Sequence, residues 1–286
     1  MKIFIDSADI DEIKSVASII DGVTTNPTLL RSAIEKRKGV DLEGYMRSIC
    51  ETAGEGKPVS LEVASTDADS MIREATFLYE KFSGVSGNVV VKIPVSTGND
   101  LGALKAIREV SSSGIPVNTT LIMTPTQALL AAKSGAAYVS PFVGRVDDYV
   151  RANLGIKFKK DEYFDYSLVQ EHKGKNVGRG TIYSEDDVKL NNIENNFGIL
   201  SGVDLVRRIK VVFSNYGISS KIIAASIRNL RQLMEVMEVG AEISTVPYEI
   251  IMQMLAHPKT YEGVKIFADD AKRASYGELF SKGKNK

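Results

Sequence analysis

Val89-Val90-Val91-Lys92-Ile93-Pro94 is the stretch on which the fold turns. Three β-branched residues in succession leave no polar face, so the run reads as a strand covered on both sides, as in a parallel sheet flanked by helices. Outward from it the same signature recurs at Ile3–Ile5, Gly22–Thr25, Val59–Val63, Val117–Ile122, Tyr138–Val143, Ile222–Ala225 and Ile243–Val246. Between these runs lie amphipathic stretches. Ile10, Ile13, Val16, Ala17 and Ile20 repeat at helical spacing over Asp9–Ile20, and Ala68–Phe82 and Leu101–Val110 follow suit. Asn26-Pro27 stops the second run and opens a helix. Eight buried runs alternating with helices predict an α/β fold, a (β/α)₈ TIM barrel in a single domain. The alternative is an open doubly wound sheet, and it ranks lower because no glycine-rich phosphate fingerprint follows the first strand.

The 286 residues suit that barrel, which typically takes roughly 250. Lys plus Arg and Asp plus Glu both total 36, so nothing in the overall charge points to nucleic acid or a membrane surface. No apolar run approaches the ~20 residues that span a bilayer, and the N-terminus carries no signal-peptide pattern, so a cytoplasmic enzyme is expected. Cys50 is the sole cysteine, and His172 and His257 lack ligand-like spacing, so no metal site is expected. His257, in Leu255-Ala256-His257-Pro258, reads as a residue at a helix end, favourable to the helix dipole.

One region breaks the rhythm. About residues 151–200 are polar: Lys157–Glu162 is charged, Lys173–Gly180 is rich in glycine and lysine, and Asn191–Asn196 is rich in asparagine. The stretch reads as a long insert after strand 6, before a helix beginning near Val203, and either a cover over the site or a subunit contact suits it. The barrel domain is expected to span 1–275 with this insert, followed by a polar C-terminal tail, 276–286.

Polar residues end nearly every apolar run: Asp6, Thr25-Asn26, Glu62, Lys92, Asn118 and Thr120, Ser140, Ser226 and Arg228. In a barrel these ends converge on the mouth where active sites lie. Lys92 is the sharpest of them. Desolvation disfavours an ammonium, which frees the amine as a nucleophile. Its bland alternatives are a lysine snorkelling from a strand end, or one paired with Asp6 or Glu62. Asp6 and Glu62 are the candidate proton carriers, though Asp6 also suits a helix cap before Ser7-Ala8-Asp9. Arg145 and Arg228 are candidates for a phosphate clamp, with Ser226 and a helix starting near Asn229 as further donors. The bland alternative for either arginine is a solvated loop residue.

Six ordered motifs resemble the transaldolase family: Phe4-Ile5-Asp6-Ser7-Ala8, Gly22-Val23-Thr24-Thr25-Asn26-Pro27-Thr28-Leu29, Val91-Lys92-Ile93-Pro94, Val117-Asn118-Thr119-Thr120-Leu121, Tyr138-Val139-Ser140-Pro141-Phe142-Val143-Gly144-Arg145 and Ala224-Ala225-Ser226-Ile227-Arg228-Asn229. The resemblance covers roughly residues 1–150 and 200–270. It implies a Schiff base between Lys92 and a ketose phosphate, retro-aldol cleavage, and transfer of the retained dihydroxyacetone unit to an aldose phosphate. By the same resemblance Asp6 is the acid–base group, and Glu62 and Thr120 hold the water used in forming and breaking the Schiff base. Asn26, Asn118 and Ser140, with Thr25 and Phe142 beside them, bind the three-carbon unit, and Arg145, Ser226 and Arg228 take the phosphate. No metal or organic cofactor is implied.

A sister branch of the family cleaves fructose 6-phosphate as an aldolase and releases free dihydroxyacetone. It typically carries glutamine at the Glu62 position, tyrosine at the Phe142 position and Asn-Arg in place of Gly144-Arg145, so all three positions here favour transfer. Ser7 stands where threonine is more usual, and the 151–200 segment is longer than the family leads one to expect. Small-molecule sugar phosphates are the expected partners, and a homo-oligomer the expected assembly, since short members often form decamers and long ones dimers. A sugar-phosphate-binding protein without catalysis is the reading from another class, and intact Lys92, Asp6 and Glu62 speak against it.

Overall fold

Eight parallel strands pair in chain order and close on themselves: β1 (Lys2–Asp6), β2 (Gly22–Thr24), β3 (Val59–Glu62), β4 (Val89–Pro94), β5 (Val117–Ile122), β6 (Tyr138–Pro141), β7 (Lys221–Ala224) and β8 (Ile243–Val246). Closure runs through β8 onto β1, where Lys2 faces Ile243 and Ile5 faces Val246. The expected (β/α)₈ barrel is therefore present, and the open sheet is excluded. This computed structural model describes residues 1–37, 39–86, 89–98, 100–153, 159–162 and 197–281. Most of the 151–200 insert, with His172, Lys173–Gly180 and Asn191–Asn196, and the last residues of the expected tail lie outside the described residues. The chain divides into two compact units, Met1–Ile250 and Ile251–Lys286.

The strands form where expected because their side chains have somewhere dry to go. Ile5, Val23, Val59, Leu61, Val89, Val91, Ile93, Val117 and Val139 are all fully buried, each contributing on the order of 1.5–3 kcal/mol on leaving water. Within this core Phe4, Ile223 and Ile243 pack together with the half-buried Tyr138.

Helices α1 (Ile10–Val16), α2 (Pro27–Glu35), α3 (Leu42–Ala53), α4 (Ala68–Ser86), α5 (Gly102–Ser112) and α6 (Pro125–Lys133) follow the first five strands, two of them after β2. Their starts are written locally. Asp9 accepts from the Asp11 amide at α1, Asn26 from the Leu29 amide at α2, and Thr124 pairs reciprocally with Gln127 at α6. Proline fills the first helical position of α2 and α6, where its missing N–H costs nothing.

The remaining helices are α7 (Val143–Asn153), α8 (Gly202–Asn215), α9 (Leu230–Glu238), α10 (Tyr248–Gln253), α11 (Pro258–Arg273) and α12 (Tyr276–Ser281). Four local expectations are corrected. The first helix stops at Val16 rather than Ile20. Strand β6 ends at Pro141, which lacks a ladder donor, and Val143 already belongs to α7. A helix thus follows β6 directly, and the insert comes after it. His257 starts a helix instead of ending one: its Nδ1 accepts from the Lys259 amide ahead of Pro258.

Strand β5 carries an irregularity at the mouth. Pairing with β6 shifts from Thr119 opposite Val139 to Ile122 opposite Pro141, so three steps face two. Leu121 takes up the extra residue at φ 59°, a left-handed conformation that is uncommon outside glycine.

Candidate active site

The C-terminal ends of the strands enclose a cavity of about 370 Å³. Asp6, Asn26, Lys92, Ser140, Phe142, Arg145, Ser226 and Arg228 line it, so eight residues named from sequence meet in one place. Thr25, Glu62, Asn118 and Thr120 do not line it, though Thr25 and Glu62 contact Lys92 and Asn118 contacts Ser140.

Lys92 is 5% exposed, which removes the snorkelling alternative. Its Nζ lies 3.0 Å from Glu62 Oε2 and donates to the Thr25 carbonyl at 3.1 Å. Glu62 and Lys92 face one another in register across β3 and β4, which is why a carboxylate and an amine meet this deep in the barrel. The Thr25 hydroxyl donates to the Ser60 carbonyl at 2.8 Å, so Thr25 meets the lysine through its backbone and not its side chain.

Asp6 does not cap a helix; Asp9 does. The Asp6 carboxylate accepts from the Thr24 hydroxyl at 2.8 Å, and Thr24 in turn shares a 2.5 Å bond with Thr245. Burial pushes the Asp6 carboxyl above the ordinary aspartate range, against the lowering pull of Lys92 and the Thr24 hydrogen bond. A carboxyl so raised is better matched to trading protons near neutrality than an ordinary aspartate.

A polar layer crosses the barrel at the same level. Asn118 accepts from the Ser140 hydroxyl at 2.7 Å and donates to Ser60 Oγ at 3.3 Å. The Thr120 hydroxyl, beside the Leu121 kink, is buried without a hydrogen-bond partner among the described residues. A buried hydroxyl left unpaired costs about 1–3 kcal/mol, so the position suits a bound water or ligand atom.

Cations gather around Ser226. Arg228 is mostly buried and its Nη2 donates to Asp148 at 2.8 Å. It is therefore no solvated loop arginine. Arg145 is exposed, its guanidinium 5.1 Å from the Phe142 ring centroid. Ser226 holds φ 61°, and its carbonyl accepts from the Gly144 amide at 2.9 Å. Gly144 is required by space: a Cβ there would collide with Arg228 Nε and the Ser226 carbonyl oxygen. Near the start of α9, Arg228 N donates to Gln232 Oε1 and Gln232 N to Asn229 Oδ1.

Behind the arginine, Asp147 accepts from the Gly202 amide at 2.7 Å and from Gln232 Nε2 at 2.6 Å. Burial pushes its carboxyl up to about 7, against those two hydrogen bonds and Arg151. Gly202 comes this close because it has no side chain; a Cβ would collide with the Val143 backbone.

Sequence reasoning missed Thr24, Thr245, Ser60, Asp148 and Lys160. Thr24, Ser60 and Thr245 carried the signal already in use, a hydroxyl inside an apolar run. Asp148 and Lys160 carried none, because each is an ordinary surface-type charge until the chain is folded. Among the described residues no group of three or more His, Cys, Asp and Glu is placed to hold a metal ion. No helix among them is long and apolar enough to cross a membrane.

The whole chain was compared with known proteins. The family described as Transaldolase/Fructose-6-phosphate aldolase matches residues 3–285. The chain belongs to this family. It is similar to proteins named probable transaldolase from Petrotoga mobilis, at 39% identity over 96% of each chain, and from Thermodesulfovibrio yellowstonii, at 38% identity over 94% of this chain and 97% of the relative. A probable transaldolase from Clostridium tetani is 38% identical over 95% of this chain and 98% of its own. A member of the transaldolase/fructose-6-phosphate aldolase family is an enzyme, so this chain is one.

Proposed function

We propose that the protein is a transaldolase, moving a dihydroxyacetone unit from a ketose phosphate to an aldose phosphate through a Schiff base on Lys92. The observation that carries this reading is the buried Lys92 amine held 3.0 Å from Glu62, in the same cavity as Asp6 and Arg228.

Glu62 is positioned to take the ammonium proton, and the freed amine adds to the ketose C2 carbonyl. Loss of water from the carbinolamine gives an iminium. Asp6 then removes the C4 hydroxyl proton as the C3–C4 bond breaks, the aldose phosphate departs, and the electron pair remains on C3 as an enamine conjugated to the nitrogen. An acceptor aldehyde takes up that pair, its oxygen recovers the proton, and water returned to the iminium carbon releases the new ketose. The unpaired Thr120 hydroxyl supports a place for that water. Arg145, Ser226 and Arg228 bind the phosphate in this reading, and Asn26, Asn118 and Ser140 the hydroxyls of the retained unit.

Phe142 and Gly144 favour transfer over release. Phe142 offers no hydroxyl to the site water, unlike the tyrosine of the aldolase branch. The natural donors are sedoheptulose 7-phosphate and fructose 6-phosphate, with glyceraldehyde 3-phosphate and erythrose 4-phosphate as acceptors, in the cytoplasmic non-oxidative pentose phosphate pathway. Fructose 6-phosphate consumption should depend on added erythrose 4-phosphate. Equal consumption without the acceptor would make the protein an aldolase, and binding without any borohydride-trapped adduct would make it a non-catalytic binder.

The reading includes a homo-oligomer. Phe267, Leu279 and Phe280, in the second unit, are each more than two-thirds exposed, which suits burial against another copy. Light scattering on the purified chain should return a multiple of 31.2 kDa; a monomer at micromolar concentration would remove this part.

A further inference from the structure

Among the described residues, the 151–200 segment supplies Lys160 to the cavity. Its position there is built. Arg151, on α7 and only 4% exposed, donates through Nη2 to the Glu162 carbonyl at 2.7 Å and through Nη1 to the Lys159 carbonyl at 3.5 Å. The turn closes on itself, with Glu162 N donating to the Lys159 carbonyl at 3.1 Å and Lys159 N to Glu162 Oε2 at 3.0 Å. Asn229 Nδ2 then donates to the Asp161 carbonyl at 3.3 Å. Asn229 and Asp161 are the immediate neighbours of Arg228 and Lys160, so this bond sets the lysine on the arginine's side of the cavity.

Charge gives that placement a use. Arg228 is engaged by Asp148 at 2.8 Å, which offsets its charge. A sugar phosphate at neutral pH carries close to two negative charges, and Lys160 adds a cation to Arg145 and Arg228 on the lining that would meet them.

We propose that Lys160 is a third phosphate-binding cation, so that the turn at 159–162 completes the site for the phosphate end of the substrate and sets its preference for phosphorylated sugars. This deepens the reading of Arg145 and Arg228 as the phosphate site and rests on it, but needs no Schiff base. Inorganic phosphate is the probe, titrated calorimetrically into wild type, Lys160→Ala and Lys160→Arg. Lys160→Ala should weaken phosphate roughly three- to tenfold at low salt, the range suited to an exposed cation, and Lys160→Arg should retain most of the affinity. In borohydride trapping at Lys92 the alanine variant should raise the half-saturating fructose 6-phosphate concentration by a similar factor and leave that of unphosphorylated fructose unchanged.

Wild type that binds phosphate and a Lys160→Ala variant that binds it equally well would overturn the role of Lys160 and leave the arginines standing. Wild type that binds no phosphate would bring down both. An equal loss for fructose and fructose 6-phosphate would make the residue structural and refute the proposal.

Discussion

Lys92 Nζ and Glu62 Oε2 lie 3.0 Å apart on residues that face each other in register on neighbouring barrel strands. The lysine's other acceptor is the Thr25 carbonyl, one residue past the end of β2. Strand pairing therefore holds the nitrogen at hydrogen-bond distance from a carboxylate. Lys92→Ala should abolish transfer and the borohydride adduct while leaving phosphate binding near the wild-type level. Substantial residual transfer by the alanine variant would remove the Schiff base from Lys92.

The Thr24 hydroxyl acts on Asp6 in a predictable direction. Its hydrogen bond stabilises the carboxylate and holds a carboxyl raised by burial lower than it would otherwise stand. Thr24→Val removes that support, so the base form is lost at a higher pH. The acid limb of the kcat profile should move to higher pH with the alkaline limb unmoved. A profile identical to wild type would separate Asp6 from the limiting proton transfer.

Gly144 and Arg228 compete for one space. Gly144→Asn forces the arginine away from Ser226, at a packing cost of about 1–3 kcal/mol. Donor KM should rise at least as far in this variant as in Arg228→Ala, where a lost charged hydrogen bond of about 1.5–3 kcal/mol corresponds to roughly ten- to hundredfold. Steady-state kinetics on both variants checks this; an unchanged KM in Arg228→Ala would take that residue out of the phosphate site.

Asp147 gives a pH dependence of stability. Its carboxyl rises from 3.8 to about 7 on folding, so between those values the folded state holds a proton that the unfolded state has lost. Stability from this group is therefore complete below about pH 4 and falls as pH rises through about 7. Asp147→Asn is expected to be less stable where the carboxylate is ionised, because an amide cannot accept from both Gly202 N and Gln232 Nε2 with separate oxygens. Its denaturation midpoint should nevertheless fall less than that of wild type between pH 5 and 8. Parallel midpoints across that range would show that Asp147 does not titrate there.

Much of the architecture was legible in the chain because its signals are local. Val89-Val90-Val91 has no polar face, Asn26-Pro27 caps and starts a helix within four residues, and Thr124 with Gln127 does the same. Boundaries misread from sequence, such as Val16 and Pro141, depend on where packing stops rewarding one more residue. The candidate site residues were legible for a related reason: a lysine or carboxylate inside an apolar run is costly unless something uses it.

Sequence by itself determined the barrel, the strand-end residues and their gathering at one mouth, since eight parallel strands leave their C-terminal ends no other common place. Only the tertiary structure decided which partners they take. Lys92 pairs with Glu62 and not Asp6, Arg228 with Asp148 eighty residues away, and Thr25 offers its carbonyl instead of its hydroxyl. Pairings of this kind depend on register and on a fit good to a few tenths of an ångström between segments far apart in the chain, and no local pattern encodes them.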